Sequence, residues 1–487
     1  MNYLNKMKIK NFLKSVKDSH IQNLVVTDIA DDSRFVTKGS IFFVIEKPNF
    51  DIFSVLKKIE KRVKVYVVDL KNRGHIKKMA INKPVIYLKG IENHFYQAVK
   101  KFYEPKSNLK IIGITGTNGK TSTAYFLYQL LKKNGKKTAF FGTIGYFIGS
   151  SKYKINHTTA DFLTLYRMIK RASQKKINYL IMEVSSHSIA QERIKGLNFT
   201  RCVFTNLSRD HLDYHKTMDS YFKIKKSFFF QNNCYSIVNN DCLYGKKILS
   251  NLSKKISYGI KSNSNYQAKN IKLLKNRTKF DLVWNNRVFS VSTKLSGYHN
   301  ILNILAALAS AHSLKFSLNK LVKVIPSLKR AKGRFQEIAQ NIFIDYAHTP
   351  EGLEHILSSL QDIGYEKIIS VFGCGGQRDK GKRRIMGRIS SQLADFTIIT
   401  SDNPRGEDPL YICRQIKRGC LNNKSKVVVN RKKAIRKAIL LYRKKKESGQ
   451  KVCVLIAGKG HEDYQILKSK KIPFQDSKII KSSLKNT

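Results

Sequence analysis

Ile111-Ile112-Gly113-Ile114-Thr115-Gly116-Thr117-Asn118-Gly119-Lys120-Thr121 decides how this chain is read. The apolar run Ile111 to Ile114 breaks into glycines. Lys120-Thr121 then opens a helical pattern that puts Ala124, Leu127, Tyr128, Leu130 and Leu131 on one face. The pattern is strand, phosphate loop, helix. Glycines let backbone N–H groups close around a phosphate, and a helix N-terminus adds positive potential. In such a loop the lysine reaches the outer phosphates and the threonine hydroxyl ligates Mg²⁺. The full pattern asks for glycine at position 114, which is Ile, so the match is to the shorter form Gly-x-x-Gly-Lys-Thr at 116–121. An ordinary glycine-rich βα turn is the plain alternative.

The 487 residues suffice for two to four domains, and a 42% hydrophobic content suffices for ordinary cores. Ninety-two Lys+Arg against 33 Asp+Glu give a net charge of +59, spread along the whole length. Such charge attracts nucleic acid, anionic lipid or acidic metabolites. Here the excess is mostly Lys amid many Ile, Asn, Phe and Tyr, the mark of A/T-rich codon drift, and no nucleic-acid partner is expected. The seven cysteines are odd in number and lack a Cys-x-x-Cys pair, which speaks against a disulfide framework or a zinc site. No apolar run approaches the roughly 18 residues of a membrane span, and Met1 to Lys17 has no signal-peptide apolar block. A cytoplasmic protein with no membrane insertion is expected.

Outward from the loop, residues 1–107 mix short strands (Ile41 to Ile45, Val63 to Val68, Val85 to Leu88) with helical stretches at Val55 to Lys61 and Glu92 to Phe102. They read as a small α/β domain, closed by a linker around 104–108. Residues 108–334 alternate strands and helices as a wound parallel sheet requires. Strands are expected at Thr138 to Thr143, Tyr179 to Met182 and Cys202 to Thr205, and helices at Leu163 to Ala172 and Asn300 to His312. Glu183 closes an apolar strand, the place for a Mg²⁺ ligand beside a phosphate loop, with a surface glutamate at a strand end as the plain alternative. Val184-Ser185-Ser186-His187 follows it, and Asn206 to His215 follows the next strand. Polar, metal-capable side chains therefore crowd two successive strand ends. A helix then carries Tyr221, Lys225 and Phe229 at i, i+4 spacing, where pattern alone makes Lys225 a solvated lysine beside Lys223 and Lys226.

Pro326 to Arg334 is basic and irregular, a second linker. In 335–487 strands at Ile342 to Ile344, Ile368 to Phe372, Phe396 to Thr400, Val427 to Val429 and Val452 to Ala457 end in polar loops. These are Asp345 to Pro350, Gly373 to Lys382, Asp402 to Arg405 and Gly458 to Glu462. Together they read as a Rossmann-like domain with its own binding crevice. The helix Arg431 to Lys446 keeps Ile435, Ile439 and Tyr442 on one side, and its basic residues read as a solvated face.

Gly116 to Thr121, Glu183-Val184-Ser185-Ser186-His187, Thr205 to His215 and Asp345 to Pro350 closely resemble the Mur ligases, in family order. Asp402-Asn403-Pro404-Arg405 and Gly458-Lys459-Gly460-His461-Glu462 narrow the resemblance to the branch that adds diaminopimelate. It covers the chain from about residue 24 to the end. The resemblance implies an α/β protein of three domains: a small α/β N-terminal domain that binds a UDP substrate, a central P-loop-type ATPase domain with a wound parallel sheet, and a Rossmann-like C-terminal amino-acid domain. It also implies an ATP- and Mg²⁺-dependent ligase of peptidoglycan synthesis, and so of cell-wall biogenesis and division, acting as a monomer. ATP phosphorylates the D-Glu side-chain carboxylate of UDP-N-acetylmuramoyl-L-Ala-D-Glu, and the amine of meso-2,6-diaminopimelate attacks the acyl phosphate.

Carried over residue by residue, the resemblance gives Gly116, Thr117, Asn118, Gly119, Lys120, Thr121, Ser122, Asn300, Arg334 and Asp345 to ATP. Thr121 and Glu183 would hold one Mg²⁺. His211 and Lys225 match a second metal site at which the lysine is carbamylated, and Lys120, Glu183, His211 and Lys225 form the catalytic set. Thr158, Thr159, Ser185, Gln191 and Arg193, with His157 beside them, match contacts to the sugar–peptide substrate, and Ser33 to its uridine. Arg378, Asp402, Asn403, Pro404, Arg405, Gly458 and Glu462 match the diaminopimelate pocket. Arg405 carries the choice of amino acid, because a guanidinium grips the second carboxylate that lysine lacks.

The sequence departs from the family pattern at His157, where asparagine is common, at Gln336, where glutamate is common, and at Pro48-Asn49-Phe50-Asp51, which replaces a more polar uridine-side loop. A lysine-adding or folylpolyglutamate-type ligase of the same superfamily is the nearest rival reading. A P-loop nucleic-acid motor would explain the charge, but the motor motif set is missing. A catalytically dead binding protein is disfavoured because every proposed metal ligand is present.

Overall fold

Ile111 to Thr115 are buried without a break, as expected of a strand covered by helices on both faces. The computed structural model describes residues 6–485 apart from 49, 106–107, 156, 275–276 and 422–423. Asn49 of the divergent loop and the middle of the first linker lie outside the described residues. Two compact units are present: Met1–Asn108 with Ala160–Lys176 and Ile194–Gly196, and Leu109–Thr159 with Ile177–Arg193 and Leu197–Thr487.

In the first unit, Asp28–Ala30, Ser40–Val44, Val63–Asp69 and Val85–Leu88 form a parallel sheet in sequence order. Phe42, Val44, Leu56, Tyr66 and Val68 are among its core residues. The helix Ile91–Phe102 matches expectation, whereas Val55 to Lys61 supplies only the helical turn Leu56–Ile59 after a 3₁₀ turn at Phe53–Val55. The helix Phe162–Gln174 belongs to this unit, and Arg167 ties it to Asp28 at 2.8 Å.

The second unit carries the site. Its elements are labelled β1 (Lys110–Thr115), α1 (Lys120–Lys133), β2 (Thr138–Gly142), β3 (Tyr179–Glu183), β4 (Phe199–Phe204), α2 (Met218–Phe230), β5 (Tyr235–Asn239) and α3 (Tyr298–Ser313). The strands pair in the order β2-β3-β1-β4-β5, all parallel. Chain order therefore reverses at β1, and the C-terminal ends of β3, β1 and β4 open on the crevice of a doubly wound sheet. The face predicted for α1 is buried, packing with Ile112, Ile114, Phe140 and with Ile301, Ile304 and Leu308 of α3. Gly113 leaves room for α2: a Cβ there would lie 2.6 Å from Phe228 and 2.7 Å from Phe199.

The strand–helix alternation expected through 330 stops earlier. Lys255–Gly259 and Tyr266–Leu274 extend the parallel sheet, and then Arg277–Trp284 and Arg287–Thr293 continue it antiparallel. The last turn is Asn285-Asn286, with φ of 45° and 59°, the positive-φ pair a two-residue hairpin demands.

Beyond residue 335 come β6 (Ile342–Asp345), α4 (Pro350–Asp362), β7 (Lys367–Phe372), β8 (Phe396–Ile399) and β9 (Val452–Ala457). The sheet order is Gln336–Ala339, β6, β9, β7, β8, Ser425–Val427. The strand expected at Val427 to Val429 sits two residues earlier. Val429 instead gives its carbonyl to Ser401 beyond the end of β8, and Asn430 caps the next helix. One face packs on Leu353, Leu357, Met386 and Ile412, the other on Ile435, Ile439, Tyr442 and Ile480. Arg431, expected on a solvated face, is buried and paired with Asp476 at 2.8 Å.

Candidate active site

The loop between β1 and α1 is braced from several sides. Thr117 and Asn118 donate their backbone N–H groups to Asn206 at 2.9 Å each, and Thr205 Oγ1 donates to the Asn118 carbonyl at 2.6 Å. Gly119 has φ +81°, and a Cβ would lie 2.5 Å from Asn303 Oδ1, so both backbone and space require glycine. The Lys120 ammonium arches over the loop, donating to the carbonyls of Gly116 (2.8 Å) and Thr117 (2.9 Å). Burial, with Arg334 adding to it and Glu183 and Asp210 opposing, lowers its pKa.

Glu183 is buried at the end of β3. Its Oε1 accepts from Thr143 N (2.8 Å), and its Oε2 from Thr121 Oγ1 (2.9 Å) and Thr143 Oγ1 (3.0 Å). Arg334 Nη2 donates to Thr121 Oγ1 at 3.0 Å and its guanidinium lies over Tyr346. Thr158, Thr159, Ser185, Gln191 and Arg193 converge on the same strand end. Thr158 and Thr143 hydroxyls are 3.0 Å apart, Thr159 Oγ1 donates to Glu183 O and accepts from Ser185 N, and Arg193 joins Gln191 Oε1 to Thr159 O. His157 is exposed and lines, with Thr158, a cleft of about 1230 Å³ including its mouth. Ser33 lies in the other unit, in a turn capped by Asp32.

His211 has φ +55° and sits, with Asp210, in the loop after β4. Asp210 is the hub of this region: Lys382 donates to its Oδ1 at 3.0 Å, and the Nε2 atoms of His211 and His348 lie 3.3 and 3.4 Å from Oδ2. Lys225, read from pattern as solvated, is instead fully buried. Its Nζ donates to Gly116 O at 3.0 Å and lies over the Tyr221 ring. Burial and the Lys120 charge push its pKa well down, which favours a neutral amine.

A cleft of about 830 Å³ opens beside the loop, lined by Ser122, Asn300, Asn303, Arg330, Arg334 and Phe335 among others. The Asn300 amide is tied to Ser296 O, and both Asp345 carboxylate oxygens accept backbone N–H bonds, from Phe335 and Ala347. Two residues to which the sequence assigned no role join α4 to the loop: Thr349, within the motif Asp345 to Pro350, donates to Asn118 Oδ1 at 3.0 Å, and Glu351 accepts from Asn118 Nδ2 at 2.8 Å.

The C-terminal strand ends hold the rest. Glu462 accepts from Lys459 (2.8 Å) and Asn403 (3.0 Å). Asp402 Oδ2 is buried and has no hydrogen-bond partner among the described residues; Arg431 Nη1 lies 4.0 Å from it, and a Cβ on Gly458 (φ +109°) would stand 2.5 Å from it. Arg405 Nη1 donates to Gly376 O at 2.9 Å, and the charge of Arg378 adds to burial in lowering its pKa. Pro404 turns the chain between Asn403 and Arg405, its carbonyl accepting from Glu407 N. Arg378 itself reaches Asp213 at 3.4 Å.

The oxygen donors Thr121 and Glu183, side by side at a phosphate loop, suit Mg²⁺, which binds through one or two protein ligands plus phosphate and water. Among the described residues no group of three or more His, Cys, Asp or Glu is placed to hold a metal ion. The Lys225 amine, which donates to Gly116 O, is not an oxygen ligand for a second Mg²⁺ in its unmodified form.

Residues 114–311 match the Mur ligase middle domain and residues 333–460 the Mur ligase glutamate ligase domain. The UDP-N-acetylmuramoyl-L-alanyl-D-glutamate–2,6-diaminopimelate ligase of Clostridium botulinum (strain ATCC 19397 / Type A) is 36% identical over 491 residues, 98% of this chain and 100% of that one. The chain belongs to the Mur ligase family. A solved structure of UDP-N-acetylmuramoyl-L-alanyl-D-glutamate–2,6-diaminopimelate ligase matches with a TM-score of 0.66 at 27% identity over 99% of both chains. MurF ligase from Thermotoga maritima, in complex with ADP, shares the fold with a TM-score of 0.65 at 15% identity, over 94% of this chain and 97% of that one. As a Mur ligase the protein has the three-domain α/β fold and is an ATP-dependent ligase. None of its described helices is long and apolar enough to cross a membrane.

Proposed function

We propose that this Mur ligase joins meso-2,6-diaminopimelate to the D-Glu side-chain carboxylate of UDP-N-acetylmuramoyl-L-Ala-D-Glu, in the cytoplasm, as a monomer, for peptidoglycan synthesis. The observation that carries the reading is the end-to-end likeness to the diaminopimelate ligase of C. botulinum, 36% identical over 98% of the chain. Arg405 supports the choice of amino acid. Functional boundaries at 1–107, 108–334 and 335–487 accord with the two family matches.

A carboxylate is a poor acceptor for an amine, so the reaction first makes an acyl phosphate. The D-Glu carboxylate oxygen attacks the γ-phosphorus of ATP and ADP departs. The diaminopimelate amine then attacks the acyl carbon, releasing phosphate. Lys120, Arg334 and the N–H groups of Gly119 to Ser122 at the start of α1 neutralise and orient the triphosphate, on a loop that Thr117 and Asn118 brace against Asn206. Thr121 and Glu183 would hold one Mg²⁺, and His211 with Lys225, once carbamylated, would hold another. When bound, these ions screen the phosphate charge from the incoming carboxylate. Thr158, Thr159, Ser185, Gln191, Arg193 and His157 contact the sugar–peptide, and Ser33 its uridine. Asn300 and Asp345 shape the nucleotide cleft, the latter through the loops its carboxylate ties. Arg378, Asp402, Asn403, Pro404, Arg405, Gly458 and Glu462 form the amino-acid pocket, where carboxylates meet the amine and guanidinium the distal carboxylate.

The test is ADP release with UDP-N-acetylmuramoyl-L-Ala-D-Glu, comparing meso-diaminopimelate with L-lysine. Turnover with diaminopimelate well above lysine is expected. The reverse order overturns the substrate assignment.

A further inference from the structure

Two cysteines stand apart from every group used above. Cys202 is buried in β4, its backbone paired with Gly113 of β1 on one side and Ser236 of β5 on the other. Cys234 lies in the turn between α2 and β5, half-buried, between the exposed residues Asn233 and Tyr235. Their Sγ atoms are 3.2 Å apart. Among the described residues no other two cysteines are hydrogen-bonded to one another. Closing to a disulfide requires the sulfurs to approach by about 1 Å, a movement within reach of a surface turn.

The two thiols are unequal. The Cys202 thiol, and after it the Arg201 charge, hold Cys234 below the usual thiol range despite burial, whereas burial pushes Cys202 up. Arg201 lies over the neighbouring Tyr235 ring at 5.3 Å. The less buried Cys234 is thus the better nucleophile, and the buried Cys202 is placed to resolve it.

We propose that Cys202 and Cys234 are an oxidisable pair that closes to an intramolecular disulfide when hydrogen peroxide reaches Cys234. The Cys234 sulfur attacks one peroxide oxygen, the O–O bond breaks, and the departing hydroxide leaves as water, giving a sulfenic acid. The Cys202 sulfur attacks that sulfur, the S–O bond breaks, and a second water leaves. Two thiols and one peroxide become one disulfide and two waters. The bond ties the turn that follows the Lys225-bearing helix to the strand that delivers Thr205 to the phosphate loop.

The test titrates the reduced, full-length chain with hydrogen peroxide, alkylates it and maps the peptides by mass spectrometry. A Cys202–Cys234 linked peptide, two hydrogens lighter than its halves and reversed by dithiothreitol, is expected at about tenfold lower peroxide than modifies Cys242 or Cys420. Cys202→Ser is expected to leave a Cys234 sulfenic acid that dimedone traps. Independent alkylation of both cysteines throughout the titration, or earlier reaction of Cys242 and Cys420, overturns the proposal. The map of the unsubstituted chain decides the matter even if a variant fails to fold.

Discussion

Lys382 donates to Asp210 across 172 positions of sequence, at 3.0 Å, with both side chains 5% exposed. Burial works against the Asp210 charge, but Lys382, His211 and His348 outweigh it and hold the carboxyl well below the usual range. Two further ion pairs, Arg209–Asp379 at 3.0 Å and Arg378–Asp213 at 3.4 Å, join the same two loops. Lys382→Met strands a buried carboxylate and is expected to lower unfolding stability by about 3–5 kcal/mol. Adding Asp210→Asn should restore part of it. Denaturant unfolding of the parent, Lys382→Met, Asp210→Asn and the double variant checks this, and equal stability of the parent and Lys382→Met would refute it.

Arg405 is expected to act on diaminopimelate alone. Losing a charged, two-pronged contact costs about 1.5–3 kcal/mol, or roughly ten- to a hundredfold in KM. Arg405→Ala should raise KM for diaminopimelate by that factor and leave KM for ATP in place. Arg405→Lys should recover little, since an ammonium lacks the fork. Steady-state kinetics with each substrate varied in turn decides it.

Local signals made much of this readable beforehand. Lys120, Thr121 and Glu183 were legible because a strand, a glycine turn and a helix announce their surroundings within a few residues. Asp210 was visible but not its importance, because Lys382, which opens the helix Lys382–Leu393, and His348, in the loop after β6, lie far along the chain. Lys225 was misread from pattern alone: its neighbours Lys223 and Lys226 are less buried, and only the turn of α2 against Gly116 puts the middle lysine inside. Arg431 hid in the same way within a basic run, since its partner Asp476 lies on another helix. The hairpin at Asn285-Asn286 carried a readable turn signal that the expectation of alternating helices overrode.

Histidines lowered by burial, His299, His461 and His215 among them, set the acid limit of the fold. Burial lowers His299 and His461 to about 3 and His215 to about 4, whereas an unfolded histidine titrates near 6.5. A depressed folded value means the unfolded chain takes up protons first. Stability is therefore full above about pH 6.5 and falls as pH drops toward the folded values, by at most about 1.4 kcal/mol per pH unit for each ring. Unfolding free energies measured from pH 7.5 to 5 should decline over that range, and His299→Gln should flatten the slope. A flat profile down to pH 5 would contradict it.

Lys225 provides the sharpest chemical expectation. Its amine is buried, donates to Gly116 O, and is pushed toward the neutral form that carbon dioxide requires. If a carbamate forms there, the side chain acts as a carboxylate, and a short carboxylate entering the space vacated by Lys225→Ala should stand in for it. The variant is expected to lose activity by about 10²–10³-fold, the scale on which one group's charge stabilisation acts, and to regain part of it with added acetate or formate. Chloride at equal ionic strength should not restore it, and Lys223→Ala should be indifferent to both. Unchanged activity of Lys225→Ala, or recovery with chloride as well, would leave the lysine a structural residue.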